Sequence, residues 1–477
     1  VSTIWMGTLT EASGPKYKAV ADRIRRAVQA GKLSAGERLP PVRELAYQLE
    51  ITPGTVARAY TVLTDEGVLQ AEVGRGTFVA GRSGQGDGMD TAAEPELGFE
   101  LDVAPHNNEA GDGYYVNLFS PHLPNVGQAA LIRELLTEVA QNPPSGFMHY
   151  PSRDAARPAR QAAAHWLSHA AVGRVRESDV VFANGGQNAL GLVMQTVLRG
   201  RRPVVLVEEL FYPGFRRAAE LLRADVVAVE MDADGIIPEA LDAAARTHDA
   251  QILCTSPEAH NPTATYTPED RRRAIAEVAR KRDLQILDDN CYNMKAGAGP
   301  SYRLLAPERS WYVTSISKNI TPALRVGFAL APPDRTAHLR RSAEQGFFGL
   351  ATPLSDLMAR LLVDPRLDAI ADRVLDVTRE YVQCAVNELG GYQLVWRPDV
   401  PFLWLTLPAG WRAGAFVQAA EARGVRLRPA EDFVLRTARA PHAVRLSVNT
   451  GVTLGAFARA MQRLRDLLGN PPEQITV

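Results

Sequence analysis

The chain has 477 residues, too many for one ordinary domain, so two or three are expected. Its 46% hydrophobic and 22% charged residues are those of a globular protein able to bury sizeable cores. The net charge of −1 names no partner until divided. Residues 1–82 hold eleven Lys and Arg against eight Asp and Glu, a mildly basic head that permits nucleic-acid contact on a mildly acidic remainder. Cys254, Cys291 and Cys384 show neither metal-ligand spacing nor a pairing framework, so no metal is expected. No apolar run reaches membrane-spanning length, and the start of the chain lacks a charged-then-apolar leader pattern. The expected compartment is reducing and cytoplasmic.

The first module spans residues 14–80. Val20, Ile24 and Val28 form one stripe of a helix over 16–30, which Gly31 ends. Leu39-Pro40-Pro41 opens a second helix over 42–49. A third, over 52–65, turns Val56, Tyr60 and Leu63 inward and Thr55, Arg58 and Thr61 outward. Residues 69–72 and 76–79 read as two strands about Val73-Gly74-Arg75. Helix, helix, turn, helix, hairpin is a winged-helix order. Residues 81–113 are rich in Gly, Ser, Asp, Glu and Pro without apolar periodicity, the composition of a flexible linker.

From residue 114 to 477, β-branched runs at 180–183, 204–207, 226–229, 252–255, 285–288 and 311–315 alternate with helical patterns at 187–198, 215–222 and 268–282. That alternation predicts an α/β domain with a mostly parallel sheet. Beyond residue 350, a long helical stretch precedes short strands at 402–405 and 444–448, a smaller α+β region.

Strand ends in such a sheet are where ligands bind, and here they carry a consistent set. Lys318, in Ser315-Ile316-Ser317-Lys318, can hold an aldehyde as a Schiff base. Asp289 can keep a pyridine nitrogen protonated, and Tyr292, three residues on, can reach the ring's phenolic oxygen, as can Asn261. Gly185, Gly186 and Gln187 open a helix whose amides suit a phosphate, with Ser315 and Arg325 adding a hydroxyl and a charge. Tyr212, before Pro213-Gly214, can stack on the ring. Singly, each motif is a common turn, cap or packing residue; their order makes coincidence implausible.

Over roughly residues 114–470 the chain resembles the fold-type-I aminotransferases, through these residues with Tyr150, Asn261-Pro262-Thr263 and Arg445. The resemblance implies pyridoxal phosphate (PLP) on Lys318, an acid-binding role for Arg445, and Tyr150 reaching the phosphate of the partner subunit. Three departures bear on substrate geometry: Ala264 where glycine is usual, Pro151-Ser152-Arg153 after Tyr150, and Leu210-Phe211 where Pro-Gly is common.

Residues 15–80 look like a GntR-type winged helix, through Pro15-Lys16-Tyr17, Gly36-Glu37-Arg38-Leu39-Pro40, Arg43-Glu44-Leu45-Ala46, Thr55-Val56, Arg58-Ala59-Tyr60 and Gly74-Arg75-Gly76-Thr77-Phe78-Val79. That likeness puts the third helix in the major groove with Thr55 and Arg58 at base edges or phosphates, Arg38 and Arg43 by the backbone, and Arg75 at the wing tip. Pro53 stands where a polar residue is frequent, and a helix's first turn accepts it. Head and body together resemble the MocR family of bacterial regulators. This implies a homodimer, in many members head-swapped, that binds operator DNA and senses PLP or an amino compound. The alternative is a working aminotransferase with a DNA-binding appendage.

Overall fold

The computed structural model describes residues 16–30, 32–34, 36–49, 51–65, 68–72, 76–79, 115–168, 170–292 and 299–471. The chain divides into two compact units, Val1–Phe99 and Glu100–Val477. The proposed linker at 81–113 and the wing-tip Arg75 lie outside the described residues.

In the first unit, α1 (Lys16–Gln29), α2 (Val42–Gln48) and α3 (Pro53–Asp65) precede the antiparallel hairpin of β1 (Leu69–Glu72) and β2 (Gly76–Val79). Val20, Ile24 and Ala27 of α1 bury against Val56, Ala59, Tyr60 and Leu63 of α3, the spacing of one helical face on each. Proline opens α3, where its missing N–H costs nothing. The Tyr60 hydroxyl donates to the Pro40 carbonyl at 2.8 Å and anchors the turn before α2. One element was not anticipated. Residues 36–39 run beside the hairpin, with Leu39 N–H donating to Thr77 O and Val79 N–H to Glu37 O, and so add a third edge to the wing.

The second unit is built on a seven-stranded sheet. Its order is Val180–Ala183, Gly327–Leu330, Ser310–Ser315, Gln285–Asp289, Ile252–Thr255, Val204–Glu208, Asp225–Val229. Gly327–Leu330 runs antiparallel to both neighbours, and every other pair consists of parallel strands. Helices cover both faces, which is why the central strands are apolar runs with no alternation. Gly327–Leu330 was absent from the sequence reading. It is a four-residue buried strand pressed so close to the Gly185 loop that a Cβ on Gly327 would stand 2.6 Å from the Gly185 carbonyl carbon.

A smaller antiparallel sheet orders Leu394–Val395, Phe402–Thr406, Ala443–Ser447 and Arg428–Pro429. The helices Arg366–Leu389, Ala413–Ala422 and Leu454–Leu468 close its core. Val116–Asn117 pairs with Val425–Arg426, and that pairing carries Phe119 into the small sheet's end of the site.

Candidate functional site

The parallel strands end at one edge of the large sheet, so the loops after Ala183, Glu208, Thr255, Asp289 and Ser315 converge. The helix Gly186–Val197 begins there behind Gly185, whose φ of +83° suits glycine. A Cβ on Gly185 would lie 2.6 Å from Arg325 Nη2, and one on Gly186 would lie 2.5 Å from Cys291 Sγ and 3.8 Å from Ser315 Oγ. A side chain at either position would collide with Arg325 or Cys291, so glycine is what lets those groups close on the helix start. A helix start, the Ser315 hydroxyl and the Arg325 guanidinium are groups chemically suited to hold an anion. Gln187 braces its rim: Nε2 donates to Gly214 O at 2.9 Å, and Oε1 accepts from the Tyr212 hydroxyl at 3.1 Å.

Asp289 is buried, and desolvation raises its pKa from the ordinary aspartate value, while the Cys291 N–H donates to its Oδ1 at 3.0 Å. Such a carboxyl gains most from a cationic N–H brought to it. Lys318 ends a short 3₁₀ turn in which the Ser315 side chain accepts from the Ser317 N–H at 3.4 Å. Its Nζ lies 5.2 Å from the centre of the Tyr292 ring, which is held edge-on by Phe402. Asn261, only 2% exposed, accepts from Arg445 Nη1 at 2.8 Å through Oδ1. Its Nδ2 is buried and has no hydrogen-bond partner among the described residues. Arg445 also donates through Nη2 to the Phe119 carbonyl at 2.6 Å. A small-sheet arginine and a large-sheet turn are thereby joined. Tyr150 stands apart: it is 86% exposed, with its ring 6.3 Å from that of Phe348.

Two residues of the site escaped the sequence reading. Glu208, buried at a strand end, accepts from Thr255 Oγ1 and from the Ser256 N–H at 3.3 Å, and burial pushes its carboxyl up to about 7. The signal was an acid closing an otherwise apolar strand. His260 is pushed down to about 4 by burial and is neutral; its ring nitrogens lie 2.6 Å from Thr263 Oγ1 and 2.9 Å from Leu210 O. It ties the Asn-Pro-Thr turn to the loop carrying Tyr212. Ala264 closes that turn with a φ of +60°, the left-handed conformation that explains why glycine is usual at this position.

In the head, Arg58 is exposed on α3 with its guanidinium 4.5 Å above the Tyr17 ring. Thr55 is half-buried and its hydroxyl meets that of Thr52 at 2.9 Å, while Arg38 and Arg43 are exposed.

Residues 117–464 match the family of class I and II aminotransferases, and residues 16–79 match the gntR family of bacterial regulatory proteins. The chain belongs to the class I and II aminotransferase family, with a GntR head: a MocR-type transcription regulator. Its relatives include the uncharacterized HTH-type transcriptional regulator YdeF of Bacillus subtilis, 27% identical over 97% of this chain and 96% of YdeF. Another is the HTH-type pyridoxine biosynthesis transcriptional regulator PdxR of Corynebacterium glutamicum, 28% identical over 66% of this chain and 65% of its own. The fold is shared with an archaeal alanine:glyoxylate aminotransferase (TM-score 0.68, 21% identity, 76% of this chain and 92% of that one). It is also shared with the α-aminoadipate aminotransferase LysN of Thermus thermophilus (TM-score 0.66, 23% identity, 77% and 95%). No helix among the described residues is long and apolar enough to cross a membrane.

Proposed function

We propose that this regulator binds operator DNA through its head, holds PLP in the strand-end site of its second unit, and senses an amino compound there. PLP, when bound, supplies an aldehyde for an amine and an electron-withdrawing ring. Lys318 offers the resident amine. Asp289 keeps the proton on the ring nitrogen, Asn261 and Tyr292 donate toward the phenolic oxygen, and Tyr212 covers one ring face. Gly185, Gly186, Gln187, Ser315 and Arg325 hold the phosphate. Arg445 receives an acidic group of the effector.

The observation that carries this reading is Asn261: one side of its amide is bound to Arg445, and the other is a buried donor without a partner among the described residues. A buried donor left so costs about 1–3 kcal/mol, which a ligand acceptor removes. The acid-binding arginine and the ring-binding asparagine are thus one unit, so an effector on Arg445 is felt at the cofactor. Phe147, Met148, Tyr150 and Phe348 are each exposed, the last two with their rings 6.3 Å apart, which supports a homodimer in which Tyr150 serves the partner subunit's site. Switching of the heads requires that the effector bind two arrangements of the dimer unequally.

The test is a visible spectrum of PLP-loaded protein titrated with amino acids, ω-amino acids and aminosulfonates. Wild-type protein should show the absorbance of lysine-linked pyridoxal, and Lys318→Ala should lose it. A band that shifts with one compound and stays there supports a sensor. The complete set of Lys318, Asp289 and Arg445 also favours a second reading, an aminotransferase with an appended DNA-binding domain. Bleaching of the band by an amine, with recovery on adding a keto acid, would establish that reading instead.

A further inference from the structure

Beside Arg445 lies a second buried arginine. Arg428 and Arg445 face each other directly across the two antiparallel strands that carry them, which puts both side chains on one face of the small sheet. Their guanidinium carbons stand 4.9 Å and 5.1 Å from the centre of the same Phe433 ring. Phe119 joins them again. Its carbonyl accepts from Arg445, and its ring carries Arg428 at 4.6 Å and Arg426 at 5.1 Å.

Arg428 is 7% exposed, and its hydrogen bond runs through Nε alone, to Asp432 Oδ2 at 2.9 Å. Its two Nη groups make no hydrogen bond among the described residues. Those are the donors that match the paired oxygens of a carboxylate or a related acid. Arg217, five residues beyond Tyr212, brings a third cation into range: partial burial lowers its pKa, and the charge of Arg428 acts in the same direction. Like charges gathered out of water are costly unless an anion joins them.

We propose that the amino compound sensed here carries a second acidic group on a short side chain, and that Arg428 receives it while Arg445 holds the first. The proposal rests on the effector reading of Arg445. The two guanidinium carbons lie 4.9 Å and 5.1 Å from one ring centre, a span that the two acids of aspartate, glutamate or 2-aminoadipate can bridge, and these make the class proposed. Asp432 is then a competitor for Arg428, and the ligand's acid takes the Nη side that Asp432 leaves open.

The experiment is calorimetric titration of the PLP-loaded full chain with glutamate and with glutamine, which share shape and differ in the charge of the distal group. Glutamate should bind roughly ten- to a hundred-fold tighter, the size of a charge-assisted hydrogen bond pair. Arg428→Met should bring that ratio to near one, Arg428→Lys should keep part of it, and Asp432→Asn should raise it. Arg445→Met should weaken both ligands together. Asp432→Asn removes a carboxylate and leaves Arg428 in place, so a rise in the ratio cannot come from misfolding. Equal affinities in wild type, or a ratio indifferent to Arg428 and Asp432, overturn the proposal while the Arg445 reading stands. If neither these ligands nor any monoacid amine binds, both fall together.

Discussion

Glu208 shows how much a single buried carboxyl can reveal. Burial keeps it protonated up to about 7 in the folded state, whereas its ordinary value is 4.5. Between those values the folded chain binds the extra proton, so stability falls as pH rises through the window and the full cost is present above it. For the PLP-free protein, Glu208→Gln should raise Tm at about pH 8, by up to about 3 kcal/mol of stability, and leave it nearly unchanged near about pH 4. Thermal melts at the two pH values check this; an equal shift at both would mean that the carboxyl's ionisation is not what the fold resists. Ala264 teaches a related lesson. Its left-handed φ costs about 1–2 kcal/mol, but its methyl is fully buried beside Val400 and Phe402 and returns about 0.8 kcal/mol. A glycine there would also lose about 0.5–1 kcal/mol in entropy. The terms nearly cancel, so the departure from the usual glycine leaves the turn standing.

Among the elements, long amphipathic helices were the most legible, because Val20-Ile24 and Val56-Tyr60-Leu63 repeat at helical spacing whatever surrounds them. The strand Gly327–Leu330 and the third wing edge at 36–39 were not, since short segments without alternation become strands only when a neighbour offers hydrogen bonds. On α3, Arg58 is held over Tyr17 by a contact worth about 0.5–1 kcal/mol at an exposed site. A base contact is worth about 1–3 kcal/mol, so the ring would not hold Arg58 back from one. Arg58→Ala should weaken operator binding by about 1–3 kcal/mol and flatten discrimination between sequences, measured by fluorescence anisotropy at fixed salt. A binding curve identical to wild type would take Arg58 out of the interface.

At the scale of the whole molecule, each unit has its own apolar core. One is gathered from Val20 to Val79, and the others from residues beyond Val116. Separate cores predict two thermal transitions, the smaller from the head. PLP should raise the larger transition only, by about 2.7 kcal/mol of stability at a hundred-fold excess over Kd. Differential scanning calorimetry with and without PLP checks this, and a single transition shifted as a whole would show the units to melt as one.

Sequence alone was sufficient for the class of fold and for the two families whose features the chain joins. Those depend on local periodicity and on motifs that lie at strand ends in any parallel sheet. Only the tertiary structure decided which side chains meet across it. Arg445 reaches Asn261 over 184 positions of chain, Phe119 arrives through a strand pairing with Val425–Arg426, and Arg428 becomes a neighbour of Arg445 by the register of two strands. A register has no local signature: it is chosen by the packing of the whole small sheet, and the meeting of Arg428 with Arg445 follows from that choice.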